Sequence, residues 1–127
     1  MANDTSGAVQ AGEAEALTVY YDGGCPICRR EIATYREARG ADALEWVDVS
    51  RDDAPLGSGL TREEAVARMH VRDEEGRLID GAAAFAAIWE RLPATRLLGR
   101  VAGSRPALLI LEPAYRLFLK VRPLWRR

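Results

Sequence analysis

Leu17-Thr-Val-Tyr-Tyr-Asp-Gly-Gly-Cys-Pro-Ile-Cys28 changes character twice along its length. Leu17 to Tyr21 is rich in β-branched and aromatic side chains and is stopped by Asp22-Gly-Gly24, the pattern of a buried strand entering a tight loop. Pro26 then stands where a helix begins. At the first helical position a missing N–H costs nothing, because that group has no partner inside the helix, and Ile27 to Arg39 supplies good helix formers until Gly40. Ile32 and Tyr35 recur at helical spacing from Cys28. The stretch therefore reads as strand, tight loop, helix, with both cysteines at the junction.

Working outward, Leu44 to Val49 reads as a second strand, followed by a polar loop through Gly59. Thr61-Arg-Glu-Glu64 has the form of a capping box, predicting a helix from Arg62 to about Arg68. Met69 to Arg72 and Arg77 to Asp80 flank Asp73-Glu-Glu-Gly76 as the two arms of a hairpin. Ala82 to Leu92 places Phe85, Ile88, Trp89 and Leu92 on one helical stripe and ends at Pro93. Two further helical segments are expected, at about Ala94 to Ala102 and about Pro113 to Val121. Residues 1–15 are small and polar without hydrophobic period and read as a disordered tail, leaving 16–127 as one domain. A β-α-β unit followed by β-β-α is the thioredoxin arrangement, so the expected fold is an α/β three-layer sandwich with extra C-terminal helices. In that arrangement a catalytic dithiol sits where the first strand gives way to the first helix, the place of Cys25 and Cys28.

The chain has 127 residues, enough for one hydrophobic core. A net charge of -1 argues against a nucleic-acid partner, which calls for a basic face. The local exception is the C-terminus, where Arg116, Lys120, Arg122, Arg126 and Arg127 gather with only Glu112 nearby. Residues 1–15 lack the basic start and apolar centre of a secretory signal, so a reducing, cytoplasmic setting is the expectation. No apolar run, Ala107 to Leu111 among them, approaches the ~20 residues that cross a bilayer, and no transmembrane segment is expected.

The two cysteines are three apart, too close for a bridge that constrains much of the chain, so reactivity is the better reason for the pair. Disulfide exchange needs a thiolate that attacks and a second thiol that releases the mixed disulfide. At a helix start, Cys25 lies in the positive end of the helix dipole, where thiol pKa values fall to about 3.5–7.5. Cys25 is thus the candidate nucleophile, expected to be exposed, and Cys28, one turn in and more buried, the resolving thiol. Pro26 fixes the first turn, and Arg29 and Arg30 add positive charge. Asp22 either relays a proton or shapes the Asp22-Gly23-Gly24 turn by bonding backbone N–H groups. The expected substrate is a disulfide-containing protein or a small-molecule thiol, served by an electron donor that the sequence does not name; no cofactor is expected. Zinc normally takes four Cys or His ligands, and this chain offers two Cys and His70, so no metal is expected. His70 reads as a strand residue, and Trp46 and Trp89 as packing. Leu108 to Trp125, apolar and basic by turns, reads as packing across the sheet, with contact to an acidic membrane surface or a partner as the other reading. A second function class remains open: a module that senses redox state, or holds a metal or cluster between two chains, with the same cysteine pair.

At these residues the chain resembles the DCC family of thiol-disulfide oxidoreductases, relatives of thioredoxin and glutaredoxin. Asp22, Cys25 and Cys28 match its Asp-x-x-Cys-x-x-Cys motif; Gly76, Gly81-Ala-x-Ala84 and the stretch Tyr115 to Arg122 match further, so the resemblance covers about residues 17–125. It implies a thioredoxin-like fold and dithiol activity. One departure is plain. Thioredoxin and glutaredoxin carry a cis-proline just before the third strand, opposite the dithiol, where the neighbouring backbone pairs with substrate; here that stretch is Ala67-Arg-Met-His70. A cis bond without proline costs about 2.5–4 kcal/mol, so a trans bond and a differently shaped groove are expected.

Overall fold

A computed structural model describes residues 16–124. The disordered tail expected at residues 1–15 lies outside the described residues. The first strand, β1 (Thr18–Tyr21), is central: it pairs parallel with β2 (Glu45–Asp48) and antiparallel with β3 (His70–Arg72), which pairs antiparallel with β4 (Leu78–Asp80). The order β2-β1-β3-β4 is the thioredoxin-like topology expected from the sequence. Side chains alternate across the sheet. Val19 and Val71 face α1 (Pro26–Arg36) and α3 (Ala82–Glu90), packing with Leu17, Ile32, Tyr35, Ala84 and Ile88, while Tyr20 faces the other way, toward Ala65 of α2 (Arg62–Ala67). Helices thus cover both faces of the sheet, giving three layers. Trp46 and Trp89 pack against the larger cluster, and Trp89 Nε1 donates to the Tyr35 hydroxyl at 3.0 Å.

Local signals explain most boundaries. Thr61 and Glu64 form the reciprocal capping box, with Glu64 N donating to Thr61 Oγ1 at 3.1 Å and Thr61 N to Glu64 Oε1 at 3.0 Å. In the hairpin turn, Asp73 Oδ1 accepts from the N–H groups of Glu75 and Arg77, and Gly76 takes the left-handed φ of 88° that a side chain would resist. Arg72 is buried, yet its guanidinium is satisfied by the Tyr20 hydroxyl and by the carbonyls of Leu56, Ser58 and Gly76.

The C-terminal helices depart from expectation. After α4 (Arg96–Ala102), α5 runs Arg105–Val121 and a 3-10 turn follows at Arg122–Leu124. The helix expected at about Pro113 therefore begins eight residues earlier, with Ser104 as N-cap and Pro106 in its first turn, and Pro113 lies inside it. An interior proline removes one helical hydrogen bond. Pro113 is on the exposed side, where water can serve the carbonyl left unpaired. Helix α1 is shorter than expected, ending at Arg36, and a turn reaches Gly40 at φ 88°. Glu112 of α5 holds the sheet end together: its carboxylate accepts from Ala82 N at 3.1 Å, capping α3, and from Arg68 at 2.6 Å.

Candidate active site

The loop between β1 and α1 is built from backbone bonds. Cys25 N donates to the Asp22 carbonyl at 3.1 Å and Gly24 N to Asp22 Oδ1 at 2.9 Å, so Asp22 shapes the turn. Gly23 N donates to Asp48 Oδ1 at 2.8 Å, and a Cβ at Gly23 would collide with that carboxylate. Burial pushes the Asp48 carboxyl up, but the Ser50 hydroxyl and the N–H groups of Ser50 and Gly23 outweigh it and leave the group below its ordinary value. On the outside, Arg29 Nη1 donates to the Gly23 carbonyl at 2.8 Å.

Cys25 is the N-cap of α1, in extended conformation at φ -95° and ψ 117°, with Pro26 directly after it. Its Sγ accepts the Cys28 N–H at 3.3 Å, one of the unpaired donors of the first turn. The expected order of exposure is reversed: Cys25 is 0% exposed and Cys28 is half-buried. A capping side chain turns back over the open first turn of its helix, and this carries the Cys25 sulfur off the surface. The Cys28 thiol is pushed up to about 12, first by burial, then by its hydrogen bond to Cys25 and by the repulsion of a thiolate there, while Arg122 pulls it down. The two sulfurs thus stand in unequal settings.

Two residues that motif reasoning did not assign complete the site, both from the C-terminal segment. Arg122 is buried; its Nη2 donates to the carbonyls of Val66 at 2.9 Å and Ala67 at 3.3 Å, and its Nη1 lies 3.9 Å from Asp22 Oδ2. It spans the end of α2, the acid of the motif and the Cys28 thiol. Tyr115, two turns earlier on α5, accepts the Met69 N–H at 2.7 Å, stacks edge-on against Phe85 and lies under the Arg68 guanidinium. Its hydroxyl is pushed up to about 12 by burial, against the Met69 bond, with charge at Cys28 adding to the rise. The backbone before β3 is all trans, as expected without proline, and Arg122 and Tyr115 occupy its polar groups at Val66, Ala67 and Met69.

The sequence profile of the DCC1-like thiol-disulfide oxidoreductases matches residues 19–127. The chain belongs to that family. A similar protein is the uncharacterized chloroplastic protein At5g50100 of Arabidopsis thaliana, 28% identical over 79 residues, covering 60% of this chain. The chain spans 37% of that protein's length. No solved structure matches. As a DCC1-like chain it carries the Asp22, Cys25 and Cys28 of the motif at one end of the sheet.

His70 stands apart from the dithiol's polar network. Its Nδ1 is 2.9 Å from the Arg68 carbonyl, and it lines a cavity of about 390 Å³ with Glu64, Arg68 and Asp80. Among the described residues, no group of three or more His, Cys, Asp or Glu side chains converges as a ligand set.

Proposed function

We propose that this chain exchanges disulfides through Cys25 and Cys28, with Cys25 attacking and Cys28 resolving. The observation that carries the reading is the inequality of the thiols: Cys25 Sγ receives the helix-start N–H of Cys28, whereas the Cys28 proton is held by burial and by the hydrogen bond to Cys25. The Cys25 thiolate attacks one sulfur of a substrate disulfide, forming a mixed disulfide, and the other sulfur leaves as a thiolate that takes up a proton. Cys28 then loses its proton and attacks the Cys25 sulfur. The Cys25–Cys28 disulfide forms, the second substrate thiol is released, and two electrons and two protons have passed to the substrate. A reduced thiol donor, small or protein, resets the pair.

Arg122 has two roles in this scheme. Its charge favours the Cys28 thiolate needed for the second step. Its bonds to Val66, Ala67 and Asp22 also tie the C-terminal turn to the end of α2 and to the acid of the motif, and Cys25 is closed off from solvent; in this reading that turn moves before a substrate enters. Substrate pairing with the backbone before β3 competes with Arg122 and Tyr115, which favours a small disulfide over an extended protein segment.

Intact-mass measurement tests the scheme: exposure to glutathione disulfide should remove two hydrogens from the chain, and dithiothreitol should restore them. Disulfide-linked dimers formed in place of the internal bridge would contradict it.

A further inference from the structure

Charge and apolar exposure are segregated along this chain. Residues 96–127 hold eight basic residues and the single acid Glu112, a net charge of +7, so the remaining residues carry -8. The same segment holds eight of the nine large apolar side chains exposed among the described residues, Leu97 to Leu124; Ile27 is the ninth. A small domain ordinarily spreads such residues singly, so a cluster calls for an explanation.

Helix α5 supplies most of it. No residue of this helix is fully buried, because it touches the domain mainly through its Tyr115 and Glu112 side. On the opposite side Leu109, Ile110, Pro113 and Leu117 fall within about 100° of one another around the helix. Leu109 is 77% and Ile110 72% exposed. Arg105, Arg116 and Lys120, all exposed, lie along the Leu109 edge of this stripe. Helix α4 repeats the pattern at smaller scale, with Leu97, Leu98 and Val101 exposed beside Arg96 and Arg100. Past the final turn the sequence continues Trp125-Arg-Arg127, an amphipathic aromatic followed by two cations.

We infer that α4 and α5 dock this protein on an anionic lipid surface. An apolar stripe edged by long basic side chains matches a bilayer interface, where the stripe enters the acyl boundary and the cations reach the headgroup phosphates. The face is the convex side of a helix, and among the described residues it exposes no large aromatic side chain of the kind that anchors a protein partner. Two copies meeting face to face through it would bring like charges together. No helix among the described residues is long and apolar enough to span, so the contact is peripheral.

Flotation of the full chain with vesicles tests the inference. Vesicles of phosphatidylcholine with about 30% phosphatidylglycerol should carry the protein at low salt, and pure phosphatidylcholine should not. Binding should fall as salt rises, because the attraction is screened. Leu109→Asp with Ile110→Asp should abolish flotation; both sites are exposed, and an unchanged circular dichroism spectrum confirms the fold. Arg105→Gln with Lys120→Gln should weaken partitioning about 30-fold, roughly fivefold for each cation removed. Failure to float with anionic vesicles overturns the proposal, as does flotation that ignores both pairs of substitutions. A dimer in sedimentation that needs Leu109, without vesicle binding, assigns the face to self-association and equally overturns it.

Discussion

Replacing Arg122 by Gln separates the two steps of the exchange. The guanidinium opposes the rise of the Cys28 thiol, and a hydrogen bond to a charged group contributes about 1.5–3 kcal/mol, or roughly one to two pKa units. Each unit of rise reduces the thiolate tenfold but makes it a better nucleophile, with a Brønsted slope of about 0.4–0.5, so resolution should slow about 3–15-fold. The first step should move the other way. Arg122→Gln loses the charged donor that holds the Val66 and Ala67 carbonyls and the ion pair with Asp22, so opening of the C-terminal turn should become at least roughly tenfold easier. Stopped flow with an aromatic disulfide whose released thiolate absorbs visible light reports both steps, the first equivalent from attack and the second from resolution. Near neutral pH the first phase should quicken and the second should slow, and Arg122→Lys should recover most of the second-phase rate. A uniform slowing of both phases, or none, in a folded Arg122→Gln variant would refute the assignment.

Other outcomes follow from the same contacts. Gly23→Ala drives a Cβ into the Asp48 carboxylate; it should lower stability by about 1–3 kcal/mol in urea unfolding and alter Cys25 alkylation. Arg72→Met leaves the carbonyls of Leu56, Ser58 and Gly76 without their buried donor and should cost about 1–3 kcal/mol, read from the same unfolding midpoint. At high pH, Cys28 and Tyr115 are both pushed up to about 12 in the folded chain, so their contribution is complete below the unfolded values and is lost as pH rises from about 9 toward 12. Cys28→Ser should flatten that alkaline loss in a denaturation series. At low pH, Asp48, Asp73 and Glu112 are held below their ordinary values, so their contribution is present above about pH 4 and fades as pH falls; Asp73→Asn should make the acid limb shallower.

What the sequence reveals here is what is local. The run into Asp22-Gly-Gly24, the proline after Cys25, the Thr61 box and the Asp73 turn each carry their own hydrogen-bond logic within four or five residues, and each appears where its pattern placed it. The start of α5 was hidden because Pro113 resembles a helix opening, while the true opening at Ser104-Arg-Pro106 follows closely on α4. The exposure of the two sulfurs depends on which way a capping side chain turns, which residue spacing does not record. Arg122 and Tyr115 reach the dithiol across most of the chain, so no local pattern could assign them roles; the only trace in sequence was their inclusion in the family-like stretch Tyr115 to Arg122. The missing proline before β3 was visible, but its consequence, a backbone held by those two side chains, belongs to the tertiary structure.

Trapping separates the attacking cysteine from the resolving one. With glutathione disulfide, Cys28→Ser should accumulate one stable mixed disulfide at Cys25, since nothing remains to resolve it, while Cys25→Ser should accumulate none. Adducts forming equally on both variants, with alkylation of each remaining thiol following the free value of about 8.5, would mean that Cys25 and Cys28 are interchangeable and that neither is activated.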